Sequence, residues 1–263
     1  MNDVELRHQA NKEFAISARS LIIETLNDPN FSLLISTKSS RTDVVTQIDQ
    51  SVEALITNAI SKQFPNDAII GEEFGLSGGN GSYEWVIDPI DGTTNFIYGF
   101  PAFAISIAVR TTQENEVVSG VVYDVPRDRL YEATKGGGSF ANGNAIKVTD
   151  QDEIADSLIA TGFSYSNEIR IRQGKIIQSI LTKVRDIRRA GAASLDLCMV
   201  AAGEIDGYFE EGLKPWDYMA GALIVREAGG KVDGAWTEEP TAQMIVASNG
   251  SIQKALVNLI TPV

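Results

Sequence analysis

The chain has 263 residues, 43% of them hydrophobic, which suits one large domain or two small ones and is too apolar for a disordered segment. A formal net charge of −13 argues against a general nucleic-acid binder, which needs basic surface to displace counterions. One cysteine, Cys198, excludes an internal disulfide, and one histidine, His8, excludes a His–Cys zinc cluster and makes any Ser-His-Asp triad depend on His8 alone.

Leu6, Ala10, Phe14, Ala18, Leu21 and Ile22 recur at helical spacing, so a helix is expected over residues 4–26, ended by Asn27-Asp28-Pro29. Residues 1–19 show no signal-peptide pattern, and apolar runs such as 103–109 are too short to span a bilayer. A cytoplasmic protein without membrane association is expected. The polar stretch 36–42 reads as a loop containing Lys38. A second helix is expected over 44–63, with Ile48, Val52, Leu55, Ile56 and Ala59 on one face and Asp49 and Glu53 sharing another. Buried strands follow at 68–71 and 85–87, separated by a glycine-rich loop, 75–82.

Three antiparallel strands are expected at 102–110, 117–123 and 129–134, and Asn142-Gly143 marks a tight hairpin turn. The second half alternates strands at 157–161, 207–210, near Val232 and at 244–247 with helices at 169–184, 193–202, 216–228 and 251–260. Gly229-Gly230 stops the third of these helices. No linker or repeat interrupts the chain, so residues 1–263 read as one α/β unit with a seam near 150 that divides subdomains 1–149 and 150–263. Cys198 lies in an apolar stretch and reads as a core residue.

Three acidic clusters end or follow apolar segments: Gly71-Glu72-Glu73; Trp85-Val86-Ile87-Asp88-Pro89-Ile90-Asp91-Gly92-Thr93-Thr94; and Pro215-Trp216-Asp217. A strand delivers Asp88 to its carboxyl end, and Pro89 cannot continue a ladder. Asp91 then shares a pocket with Asp88 if the turn is helical. Gly92 permits close backbone approach, and Thr93 offers a hydroxyl and an N–H. Two carboxylates about 4 Å apart repel by roughly 4 kcal/mol at an effective dielectric of 20, so a cluster of four calls for cations. Hard oxygen donors select Mg²⁺ or Mn²⁺.

The string from Asp88 to Phe96 resembles the first signature of the inositol monophosphatase family. Trp216-Asp217-Tyr218-Met219-Ala220-Gly221-Ala222, continuing to Glu227-Ala228-Gly229-Gly230, resembles its second. Gly71-Glu72-Glu73 is similar to its metal-binding glutamate motif, and the segment from Asp43 to Asp49 to an upstream motif. The resemblance implies a layered αβαβα sandwich, commonly homodimeric, and a lithium-sensitive, magnesium-dependent phosphatase acting on small phosphate monoesters. It implies that Glu72, Asp88 and the Ile90 carbonyl bind one Mg²⁺, that Asp88, Asp91 and Asp217 bind a second, and that Glu72 helps hold a third. Thr93 and Glu72 would orient the attacking water, and the Gly92 and Thr93 amides would hold phosphate. Ala193, Glu210, Asp91 and Asp217 would meet the substrate, with Asp49 standing behind the ligands. Lys38, from its place in the polar loop rather than from the resemblance, is expected to approach the same pocket from behind the ligands. Inositol-1-monophosphate is the first expected substrate and histidinol phosphate the alternative. A regulatory binding role in transcription, known among bacterial relatives, is an expectation of another class.

Two weaker signals read as decoys. Gly136-Gly137-Gly138-Ser139-Phe140-Ala141 fits a dinucleotide fingerprint but precedes a hairpin turn rather than a helix. Lys183, Arg185, Arg188 and Arg189 read as a solvated basic face or intramolecular ion pairs.

Overall fold

A computed structural model describes residues 2–37 and 44–261. The expected position of Lys38 lies outside the described residues. Asn2 and Glu5 exchange side-chain and backbone hydrogen bonds and so start helix α1 (Asp3–Asn27). Strands β1 (Ile35–Thr37) and β2 (Val44–Thr46) pair antiparallel. The same kind of reciprocal cap, Thr46 with Asp49, starts α2 (Gln47–Gln63). The expected second helix therefore begins three residues late, because Val44–Thr46 pairs as a strand instead.

An eight-stranded sheet comes next: β3 (Ala68–Gly71), β4 (Gly75–Gly78), β5 (Tyr83–Asp91), β6 (Ala104–Thr111), β7 (Val117–Asp124), β8 (Arg129–Thr134), β9 (Gly138–Ala141) and β10 (Asn144–Ala145). Its order is β10-β9-β8-β7-β6-β5-β3-β4. Helix α3 (Thr93–Tyr98) interrupts the run between β5 and β6. Asn142 and Gly143 both take positive φ, 47° and 75°, in the expected tight turn between β9 and β10. Part of the expected 75–82 loop is instead β4, an exposed edge strand paired antiparallel to β3.

The remaining elements are β11 (Leu158–Thr161), α4 (Asn167–Ile180), β12 (Asp186–Arg188), α5 (Ala193–Ala201), β13 (Gly207–Glu210), α6 (Pro215–Glu227), β14 (Lys231–Asp233), β15 (Ile245–Ser248) and α7 (Gln253–Ile260). The five strands form a second sheet in the order β12-β11-β13-β15-β14. Helices α1 and α2 cover one face of the first sheet. Helices α5 and α6 lie between the two sheets, and α4 and α7 close the far side of the second. The layers thus run αβαβα. The central core joins Val86, Ala108 and Val122 of the first sheet to Leu197, Cys198 and Ile224 of the middle helices and Tyr208 of the second sheet. Cys198 is fully buried there, as its apolar surroundings predict.

Under the first sheet, Trp85 packs 5.7 Å from Phe14 and 5.5 Å from Phe64, centroid to centroid. Its Nε1–H donates to Asp67 (2.9 Å), whose carboxylate also accepts from Arg7 Nε and Nη2, both at 2.8 Å. Asp67 is 3% exposed. Asp67→Asn keeps the shape but replaces an acceptor-only group with one that presents N–H to donors. It should lower the unfolding free energy by about 2 kcal/mol, read from urea melts. A loss below about 0.5 kcal/mol, the scale of a surface substitution, would remove this cluster from the stabilising core.

Candidate active site

Strands β3 and β5 are parallel neighbours with Gly71 opposite Ile87, so their carboxyl ends leave the sheet at the same edge. Glu72 comes directly after β3 and donates its N–H to the Ile87 carbonyl (3.1 Å). Strand β5 does not end at Asp88. Its ladder with β6 changes register between Asp88 and Asp91, and Asp88 Oδ1 accepts the Ile90 N–H (3.0 Å). A bulge of this kind re-aims side chains locally. It turns Asp91 onto the pocket that Asp88 faces, where a helical turn was expected. Gly92 takes φ +91° to leave the strand, and a Cβ on it would crowd the Ala102 carbonyl.

Two helix starts complete the wall. Pro215 occupies the first turn of α6, and Asp217 accepts the Lys214 N–H (2.6 Å). Asp91 Oδ2 accepts both the N–H (2.7 Å) and the hydroxyl (2.5 Å) of Ser194 at the start of α5. Both helices turn their positive ends toward these carboxylates. Thr93 Oγ1 lies 3.2 Å from Asp49 Oδ1 and 3.1 Å from the Ile90 carbonyl. Asp49 is fully buried behind it, and its Oδ2 accepts the Thr46 N–H (2.9 Å) and hydroxyl (2.5 Å).

On the opposite wall Glu210 ends β13. Its Oε2 accepts the Tyr208 hydroxyl (2.7 Å), and its carboxylate lies where a Cβ on Gly162 would stand. Glu72, Asp88, Ile90, Asp91, Gly92, Thr93, Ala193, Glu210 and Asp217 all line one cavity of about 240 Å³. That is smaller than the roughly 300–1,000 Å³ of drug-sized sites and suits a small ligand.

The electrostatics arise from enclosure. Burial, then the charges of Glu72, Asp91 and Asp217, push the Asp88 carboxyl well above the usual range. Burial raises Asp91 to about 6, against the pull of the Ser194 hydrogen bonds. Burial and then the Asp91 charge raise Asp217 well above its usual value. Glu210 is raised to about 7, again chiefly by burial, with the Tyr208 bond opposing. Asp49 is raised by burial.

Arg189 is exposed, as a solvated basic face implies, but it also lines the cavity, which sequence reading missed. Its guanidinium lies against Gly191, where a Cβ would overlap it. Arg185 and Arg188 do pair locally, with Asp156 (3.3 Å) and Asp186 (2.6 Å). The signal for Arg189 was its place two residues before Gly191-Ala192-Ala193. The glycine-rich decoy resolves plainly: the N–H groups of Gly136 and Gly138 donate to the Glu227 carboxylate at 2.8 and 3.0 Å. An internal anion holds the turn that a phosphate would otherwise fit.

Whether the acidic set fits a divalent ion turns on geometry and donor chemistry. Among the described residues, no three Asp, Glu, His or Cys side chains already form a metal-holding group. Asp91 and Asp217 each direct one oxygen at an N–H donor, and Glu72 and Asp88 lie within hydrogen-bond reach of each other. The donor chemistry nevertheless fits: hard oxygens, enclosed and mutually repelling, are what Mg²⁺ or Mn²⁺ relieves. Among the described residues no helix is long and apolar enough to cross a membrane.

The inositol monophosphatase family model matches residues 3–261. The chain is 42% identical over 248 residues to a protein of Escherichia coli strain K12 named Nus factor SuhB, covering 92% of this chain and 91% of that one. Among solved structures it is similar to the extragenic suppressor protein suhB of Bartonella henselae, at 34% identity and a TM-score of 0.88, covering 96% and 97% of the two chains. It is also similar to inositol monophosphatase of Anabaena, at 32% identity and a TM-score of 0.85, covering 98% and 96%. Matched across nearly its whole length, the chain belongs to the inositol monophosphatase family.

Proposed function

We propose that this protein is a magnesium-dependent phosphatase that hydrolyses inositol-1-monophosphate to inositol and phosphate. The observation that carries the reading is the meeting of Glu72, the Asp88–Asp91 pair and Asp217, from three separate segments of the chain, in one enclosed pocket. Glu72, Asp88 and the Ile90 carbonyl would hold one ion, and Asp88, Asp91 and Asp217 another. When bound, the ions supply charge neutralisation and lower the pKa of water. Thr93 has one hydroxyl proton, directed to Asp49 or to the Ile90 carbonyl. Its oxygen is therefore left to accept a hydrogen from the attacking water, while Glu72 takes the proton. The Gly92 and Thr93 amides would meet the phosphate oxygens, and Ala193 and Glu210 the alcohol. Association as a homodimer belongs to the same proposal, on the family resemblance.

Histidinol phosphate is the competing substrate, because Glu210 on the cavity wall offers a partner to a cationic group. A phosphate-release assay with both esters separates them. Inositol-1-monophosphate should be hydrolysed with Mg²⁺ and not with a chelator. If histidinol phosphate proves at least about a hundredfold better in kcat/KM, a difference of roughly 2.7 kcal/mol, the inositol assignment falls. The name Nus factor carried by relatives at 42% identity favours a second reading, a transcription-associated binding role alongside hydrolysis.

A further inference from the structure

Glu53 stands one turn after Asp49 on α2 and is 1% exposed. Its Oε2 accepts the Glu73 N–H and its Oε1 accepts the Phe74 N–H, both at 2.8 Å. These amides belong to the turn between β3 and β4. Gly71 pairs with Gly75 across that hairpin, so the turn consists of Glu72, Glu73 and Phe74. The remaining amide, that of Glu72, goes to the Ile87 carbonyl on β5. All three N–H groups of the turn are thus fixed from outside the hairpin, two of them by one buried carboxylate. The sequence leaves room for it, since a Cβ at Gly71 would overlap the Glu53 carboxylate.

A buried carboxylate is costly unless its hydrogen bonds are made, and charge-assisted bonds to N–H groups are the strong kind. Here they fall on the residues that carry Glu72 rather than on the strands beside them. The same helix holds Thr93 through Asp49. We propose that Glu53 is a positioning residue for Glu72, and that α2 sets Glu72 and Thr93 relative to each other through Glu53 and Asp49. The inference deepens the phosphatase reading and rests on it.

Mn²⁺ binding to the full chain, followed by electron paramagnetic resonance, tests the idea. Glu53→Gln retains size but has one acceptor oxygen and turns an NH₂ toward a donor. Mn²⁺ affinity should fall roughly 10- to 100-fold, as for other residues that hold a metal ligand in place. Activation by Mg²⁺ should shift to higher concentration, with kcat at saturation returning to within a few fold of wild type. Amide exchange of residues 72–75 should quicken at least about tenfold while α1 keeps its protection, a localised opening.

Gly71→Ala keeps the carboxylate and displaces it. It should weaken Mn²⁺ binding in the same direction, with the double variant adding little more, as expected for two changes acting through one contact. If Glu53→Gln does not fold, the affinity of Gly71→Ala decides alone. Wild-type Mn²⁺ affinity in a folded variant would overturn the proposal while leaving the phosphatase reading standing. Failure of the wild-type chain itself to bind Mn²⁺ would overturn both.

Discussion

Asp88→Asn should reduce kcat/KM by at least about a thousandfold while leaving the metal-free protein as stable as wild type or more so. Asp88 is 2% exposed, and its carboxyl is held well above the usual range by burial and by the charges of Glu72, Asp91 and Asp217. An amide of the same shape removes one like charge from that group and still accepts the Ile90 N–H through its carbonyl. Stability in the absence of metal therefore has no reason to fall. Activity has every reason to, because Asp88 is the side chain assigned to both ions. Lewis-acid stabilisation of a transferring phosphoryl group is worth several kcal/mol, and each 1.36 kcal/mol is tenfold in rate. Phosphate release in saturating Mg²⁺ and calorimetry in a chelator give the two halves. Activity within tenfold of wild type, or a melting temperature clearly below it, would defeat the assignment. The same variant separates the two functional readings. A transcription-associated partner that still binds Asp88→Asn would be using a surface independent of hydrolysis.

Sequence carried these acids as far as local physics reaches. An apolar strand running into Asp88-Pro89 announces a break in its ladder, although the strand itself runs on to Asp91, and Pro215-Trp216-Asp217 announces a helix start. The path of the chain from Asp88 to Asp91 was not legible. Pro89 is compatible with a helical turn and with a bulge, and the choice falls to β6, whose ladder resumes at Asp91 opposite Ala104. Convergence is non-local too, since Glu72 reaches Asp88 only because β3 and β5 lie parallel and adjacent. Glu53 was visible as a neighbour of Asp49, but its partner amides lie twenty and twenty-one residues further on. Strand β4, Gly-Leu-Ser-Gly, lacks the β-branched and aromatic residues that mark strands, and it exists because β3 offers it an edge. Arg189 looked like its neighbours Arg185 and Arg188, and only the fold brings it, still exposed, to the wall of the cavity.

Melting of the metal-free protein should depend on pH, with a sign set by the same enclosure. A carboxyl whose folded pKa lies above its unfolded value holds a proton in the native chain over a window where the unfolded chain has released it. Its contribution to stability therefore falls as pH rises through that window. Asp91 moves from 3.8 to about 6 and Glu210 from 4.5 to about 7, both chiefly by burial. Between pH 5.5 and pH 8 these two shifts together amount to roughly 3 kcal/mol. Asp88 and Asp217 are displaced in the same direction. Glu132 is lowered, its hydrogen bonds from His8 and Lys12 outweighing its burial, so its opposing effect lies below its ordinary 4.5 and outside this interval. The metal-free protein should melt on the order of 5–10 °C lower at pH 8 than at pH 5.5. Mg²⁺ should reverse the trend, since it competes with protons for the same oxygens and its stabilisation grows as they ionise. Scanning calorimetry at both pH values, with chelator and with saturating Mg²⁺, reads all four states. A chelated melting temperature that holds steady or climbs toward pH 8, or an equal gain from Mg²⁺ at both, would mean that these acids do not act as one charged group.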